Sequence, residues 1–101
     1  MPVKKTEQFS TLENQIATIG RALSHPARIR IIELTQENGC TRNVDLIKLL
    51  KLSKSSVHNH IQKLVEADLI RLKYYPNQYL IHLTKNGLLA LDNFVQKNWS
   101  N

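Results

Sequence analysis

A chain of 101 residues is long enough for one ordinary domain and leaves no room for a second. With 42% hydrophobic and 22% charged residues it sits near globular averages, which argues against general disorder. The 14 Lys and Arg against 8 Asp and Glu give a formal charge of +6, suited to an anionic partner such as a phosphate backbone or an acidic membrane surface. Cys40 stands alone, so one chain can build neither a disulfide framework nor a multi-thiolate metal site. No apolar run resembles a signal peptide or reaches membrane-spanning length, so the expected location is the cytoplasm, with no membrane partner.

Residues 1–9 are polar with an early Pro2 and are expected to form a flexible arm, leaving 10–99 as the folded domain. From Leu12 the apolar positions Leu12, Ile16, Ile19 and Leu23 recur at helical spacing, with Ser10 or Thr11 available as the cap. Pro26 suits the first turn of a second helix, because its missing N–H would have had no partner there. That helix is expected to bury Ile29 and Ile32, together with Ile31 and Leu34, and to end at Asn38 and Gly39. A short third helix follows from Thr41 or Asn43, with Val44, Ile47 and Leu50 as its stripe and Leu46 and Leu49 beside it.

Lys51-Leu52-Ser53 then reads as a turn, with Ser53 capping a fourth helix that runs to about Ala67. Beyond it the period changes: 69–74 and 79–83 are rich in aromatic and branched residues around Pro76-Asn77, the pattern of a two-stranded hairpin. Thr84 can cap a last helix reaching Trp99, with Leu88, Leu91, Val95 and Trp99 on one stripe and Leu89 and Phe94 off it.

The expected fold is therefore mainly α with a small antiparallel β-hairpin wing: a winged helix-turn-helix, built as a three-helix core plus first and last helices. On the fourth helix Val57, Ile61, Leu64 and Val65 form the apolar stripe, so Ser55, Asn59, Gln62 and Lys63 point away from it, flanked by Ser56 and His58. Short polar groups near the helix start suit base edges, and cations near its rim suit phosphates. The DNA-binding residues expected on this basis are Ser55, Ser56, His58 and Asn59 at base edges, with Arg42, Lys54, Lys63 and the wing residue Lys73 on phosphates. Residues 51–73 carry much of the positive charge, Lys51, Lys54, Lys63, Arg71 and Lys73 standing against Glu66 and Asp68. Tyr79 is expected to pack the hairpin.

Two segments resemble a known family. The run Ala22-Leu23-Ser24-His25-Pro26-Ala27-Arg28-Ile29-Arg30-Ile31-Ile32 resembles the opening signature of ArsR-type (arsenic-repressor-like) winged-helix regulators, and 52–70 is similar to their recognition-helix signature. The resemblance covers about residues 10–99 and implies a homodimeric repressor that pairs through helices at about 10–23 and 85–99 and reads a pseudo-palindromic operator in double-stranded DNA. The chain departs from the family at His58 and Asn59, which precede His60-Ile61 where the family has Ser and a basic or polar residue, so operator preference does not carry over. Asp68 stands where the family usually has Gly, in a position expected to be left-handed, so Asp68→Gly should be neutral or stabilising.

The family's metal-sensing motifs are missing. Residues 43–50 contain no Cys-x-Cys pair, and the last helix has Asp92 but no His. His58 and His60, two apart on a helix, project about 200° apart and cannot grip one ion. His60 is expected to be a partly buried structural residue and His25 a turn and cap element. No glycine-rich phosphate loop, nucleophile elbow or metalloprotease His pair is present, so neither a cofactor, a metal nor an enzymatic activity is expected. The same elements would also serve a winged-helix module whose last helix binds a partner protein instead of a second copy.

Overall fold

The computed structural model describes residues 9–96, with side chains through 93. The elements run α1 Thr11–Ala22, α2 Pro26–Asn38, β1 Thr41–Arg42, α3 Asn43–Leu50, α4 Lys54–Glu66, β2 Ile70–Tyr74, β3 Tyr79–Leu83 and α5 Lys85–Ala90, followed by a π-helical segment Leu91–Gln96. Four of the five α-helix starts are fixed by a local side-chain cap, α3 being the exception. Ser10 and Glu13 form a reciprocal capping box on α1, and the Ser10 backbone amide, followed by the Ser10 side chain, holds the Glu13 carboxyl below its ordinary value. His25 caps α2 by accepting from the Ala27 amide through Nδ1, with Pro26 in the first turn. Ser53 and Thr84 cap α4 and α5 through the amides of Ser56 and Gly87.

The core forms where α2, α3 and α4 meet the sheet. Ile31, Ile32, Leu46, Ile61, Leu64, Leu69 and Ile81 are fully buried, and each such side chain contributes roughly 1.5–3 kcal/mol by leaving water. In α2 Ile31, Ile32 and Leu34 are buried as expected, together with Thr35, while Ile29 is only half-buried against the core. In α3 only Leu46 of the apolar set is fully buried, and Leu49 faces solvent.

The sheet has three strands in the order β1-β3-β2, not two. Thr41 pairs with Ile81 and Arg42 with Leu80, so the two residues before α3 close the free edge of the hairpin. A two-residue strand has no periodicity to read, and its pairing is set by the tertiary contact. Inside, Thr35 Oγ1 lies 2.9 Å from Thr41 Oγ1 and donates to or accepts from it, keeping this buried polar pair satisfied.

The last helix also differs from expectation. The regular α-helix stops at Ala90 and the backbone continues as a π-helical segment. Gly87, Ala90 and Leu91 are buried, whereas Leu88 and Leu89 are 46% and 49% exposed, so Leu88 does not lie on the inward stripe. Val95 and Trp99, the other expected members of that stripe, lie outside the residues whose side chains are described, as does the arm before Phe9.

Candidate nucleic-acid interface

A helix-turn-helix presents its second helix only if the turn is tight and the helix is anchored along one side. The turn is tight because Lys51 adopts a left-handed conformation (φ 55°) that ends α3, and Ser53 restarts the chain as α4. The anchor is apolar: Val57, Ile61 and Leu64 are at most 1% exposed. The opposite side of α4 is open, with Lys54, Ser55, His58, Asn59 and Lys63 all exposed and Gln62 half-buried.

The structure places the expected DNA-binding residues in four different settings. Lys54, Ser55, His58 and Asn59 lie together along the first two turns of α4. Ser56 is half-buried, and its hydroxyl accepts from Ser53 Oγ at 2.9 Å while Ser53 Oγ accepts from the Ser56 amide, so it is more a part of the cap than of the open face. Lys63 sits further along, 3.8 Å from Glu66, and Lys73 stands on β2 with its Nζ 5.8 Å from the centroid of the Tyr75 ring. Arg42 is the outlier, because its guanidinium is already engaged: Nε and Nη2 donate to the two Asp45 carboxylate oxygens, both at 2.9 Å. These bonds hold the Asp45 carboxyl below its ordinary value and raise Arg42. The three-residue spacing of Arg42 and Asp45 was the signal that could have predicted the pair.

A hydrogen bond ties the wing to α3, and a ring pair braces the wing itself. Asn43, buried at the start of α3, accepts from the Tyr79 amide through Oδ1 at 2.9 Å, which fixes the beginning of β3. Tyr79 packs against Tyr74 with ring centroids 5.6 Å apart, as expected for a hairpin residue, and burial followed by the neighbouring Tyr74 pushes its phenol upward. Between α3, α4 and β3 lies a cleft of about 560 Å³ with an apolar floor of Ile47, Val57 and Tyr79, rimmed by Lys54, Ser55 and His58.

Behind the open face, His60 is half-buried as expected, and it has partners that sequence spacing does not reveal. Its Nδ1 accepts from Arg28 Nε at 3.2 Å, and its ring centroid lies 4.3 Å from that of His25. Burial, then His25 and Arg28, lower its basicity below the ordinary imidazole value of 6.5. Among the described residues no group of three or more His, Cys, Asp or Glu is placed to hold a metal ion, and no helix is long and apolar enough to cross a membrane.

The arrangement matches known proteins. Residues 25–71 match the family model described as winged helix-turn-helix DNA-binding. Comparison with curated proteins by sequence finds no match. Among solved structures, HlyU from Vibrio cholerae superposes with a TM-score of 0.75 at 15% identity, over 92% of this chain and 100% of that one. A homodimeric winged helix-turn-helix DNA-binding domain from Mycobacterium bovis, described as a possible ArsR-family transcriptional regulator, gives 0.75 at 17% identity, over 95% and 86% of the two chains. The transcriptional repressor BigR from Xylella fastidiosa gives 0.72 at 18% identity, over 97% and 99%. Residues 25–71 thus match a winged helix-turn-helix DNA-binding model, within a chain that has the winged-helix fold of the solved ArsR-family structures.

Proposed function

We propose that the chain is an ArsR-type transcriptional repressor that binds a pseudo-palindromic DNA operator as a homodimer. One observation carries the reading: α4 buries Val57, Ile61 and Leu64 and leaves Ser55, His58 and Asn59 open to solvent on its other side. Such a helix fits the major groove, where short polar side chains meet base edges. Asn59 is the main base reader, with Ser55, Ser56 and His58 beside it. Lys54, Lys63, Lys73 and Arg42 neutralise phosphates, Arg42 only after leaving Asp45.

The dimer reading rests on exposed apolar surface at the two ends of the chain. Leu12 and Ile16 on α1 are 64% and 58% exposed, and Leu88 and Leu89 on α5 are nearly half exposed. Surface of this kind favours burial against a second copy. The described homodimer from Mycobacterium bovis and the described repressor BigR support these two parts of the reading by analogy.

The test is binding of a labelled duplex followed across a salt series. With Arg42 held by Asp45, the other three cations per protomer, Lys54, Lys63 and Lys73, correspond in a dimer to a log–log slope on the order of −5. A flat salt response, or sedimentation as a monomer that ignores duplex DNA, would favour a protein-interaction module instead.

A further inference from the structure

Apolar contacts hold a helix against a core but are non-directional, so they restrain its distance better than its rotation. Rotation is what decides whether Asn59 meets a base edge. A hydrogen bond is directional, and one such bond reaches α4 from behind.

It belongs to a chain of contacts that crosses three helices. Arg28 donates from Nε to His60 Nδ1 at 3.2 Å and from Nη1 to the Arg21 carbonyl at 2.9 Å. The His25 ring stands against that of His60, 4.3 Å between centroids, and its own Nδ1 accepts from the Ala27 amide at 3.1 Å. The end of α1, the start of α2 and the middle of α4 are thus tied at one point, next to Asn59 in sequence.

Resting on the reading that α4 contacts DNA, we propose that Arg28 and His60 are positioning residues for sequence recognition, setting the rotation of α4 so that Asn59 and Ser55 face the groove. Both imidazoles must be unprotonated at Nδ1 for the arrangement to hold. The Arg28 guanidinium can only donate, so an imidazolium at His60 would turn an acceptor into a donor facing another donor. His25 and Arg28 are the charged or titratable groups that act on His60, and both oppose its protonation. The adjoining cleft adds Arg21, Lys63 and Glu66, and Glu66 lies 3.8 Å from Lys63. The link is therefore intact at neutral pH and opens in acid.

The experiment compares affinity for a selected operator with affinity for random duplex, between about pH 5 and 8, the span over which imidazoles titrate. His60→Phe should lower the operator-to-random ratio roughly tenfold, the scale of one lost hydrogen bond to a charged group. It should leave the salt slope and the random-duplex affinity unchanged. His60→Gln, which keeps an acceptor for Arg28, should recover most of the ratio, and Arg28→Ala should match His60→Phe. The wild-type ratio should fall on acidification, and in His60→Phe it should not.

A His60→Phe protein that keeps the wild-type ratio would overturn the proposal while leaving DNA binding in place. A wild-type chain with no sequence preference would overturn both. Should His60→Phe fail to fold, imidazole ¹⁵N shifts in the wild type decide: His60 must carry its proton on Nε2 and respond to Arg28→Ala. A proton on Nδ1 would refute the link outright.

Discussion

Asn86 donates from Nδ2 to the Asp68 carboxylate at 3.0 Å, tying the first turn of α5 to the residue that follows the end of α4. Thr84 strengthens the same junction, its hydroxyl donating to the Asp68 carbonyl at 2.6 Å and its amide to the Leu69 carbonyl at 3.1 Å. The segment that follows α4 is therefore hydrogen-bonded to the start of α5.

Asp68 has φ 58°, the left-handed conformation expected of a position that glycine favours. Asp68→Gly removes a backbone strain of about 1 kcal/mol and loses an exposed hydrogen bond of about the same size, so urea denaturation should show a change within about 1 kcal/mol. Asp68→Ala keeps the strain and loses the bond, and should be destabilised by about 1 kcal/mol or more. Equal stabilities for the two variants would contradict this account.

Gly87 is required for a different reason. A Cβ there would collide with the backbone carbonyl of Leu69, which cannot turn aside because it also accepts from Thr84. Gly87→Ala should cost about 1–3 kcal/mol in denaturant midpoint measurements, the usual scale of overpacking. It should also separate α4 from α5, so operator affinity should fall further than stability alone explains.

In the proposed complex Asp45 would compete with phosphate for Arg42. Asp45→Asn removes the charge that holds the guanidinium and should raise affinity for any duplex at low salt, steepening the log–log salt slope by about 1 per protomer. Fluorescence anisotropy on random duplex measures both effects. An unchanged slope would place Arg42 away from the DNA backbone.

Acid should destabilise the fold through His60. Its basicity is lowered in the folded chain, so the unfolded chain binds more protons across the interval below the ordinary value of 6.5. The stability that His60 contributes is present above that value and is lost as pH falls through its folded value. Melting temperatures should decline over this interval in the wild type and decline less in His60→Gln. A variant with the same pH slope as the wild type would locate the acid sensitivity elsewhere.

Much of this architecture was legible because it is written in local signals. Ser10, His25-Pro26, Ser53 and Thr84 mark four helix starts by side-chain chemistry that acts within three residues. The apolar side of α4 followed from spacing alone, and with it the open positions of Ser55, His58 and Asn59. What escaped was set by contacts distant in sequence. Strand β1 exists because Ile81 and Leu80 lie beside it, and Arg28 finds His60 across 32 positions. The π-helical turn after Ala90 lies within an apolar pattern that reads equally well as a regular helix.

The central claim, that α4 reads DNA as one half of a twofold pair, is tested most directly by selecting bound sequences from a random duplex pool. The account predicts enrichment of an inverted repeat whose half-sites are centred about one helical turn, roughly 34 Å, apart, and loss of preference at one base pair per half-site in Asn59→Ala. Recovery of sequences with no shared motif, or of a motif that Asn59→Ala leaves untouched, would contradict it.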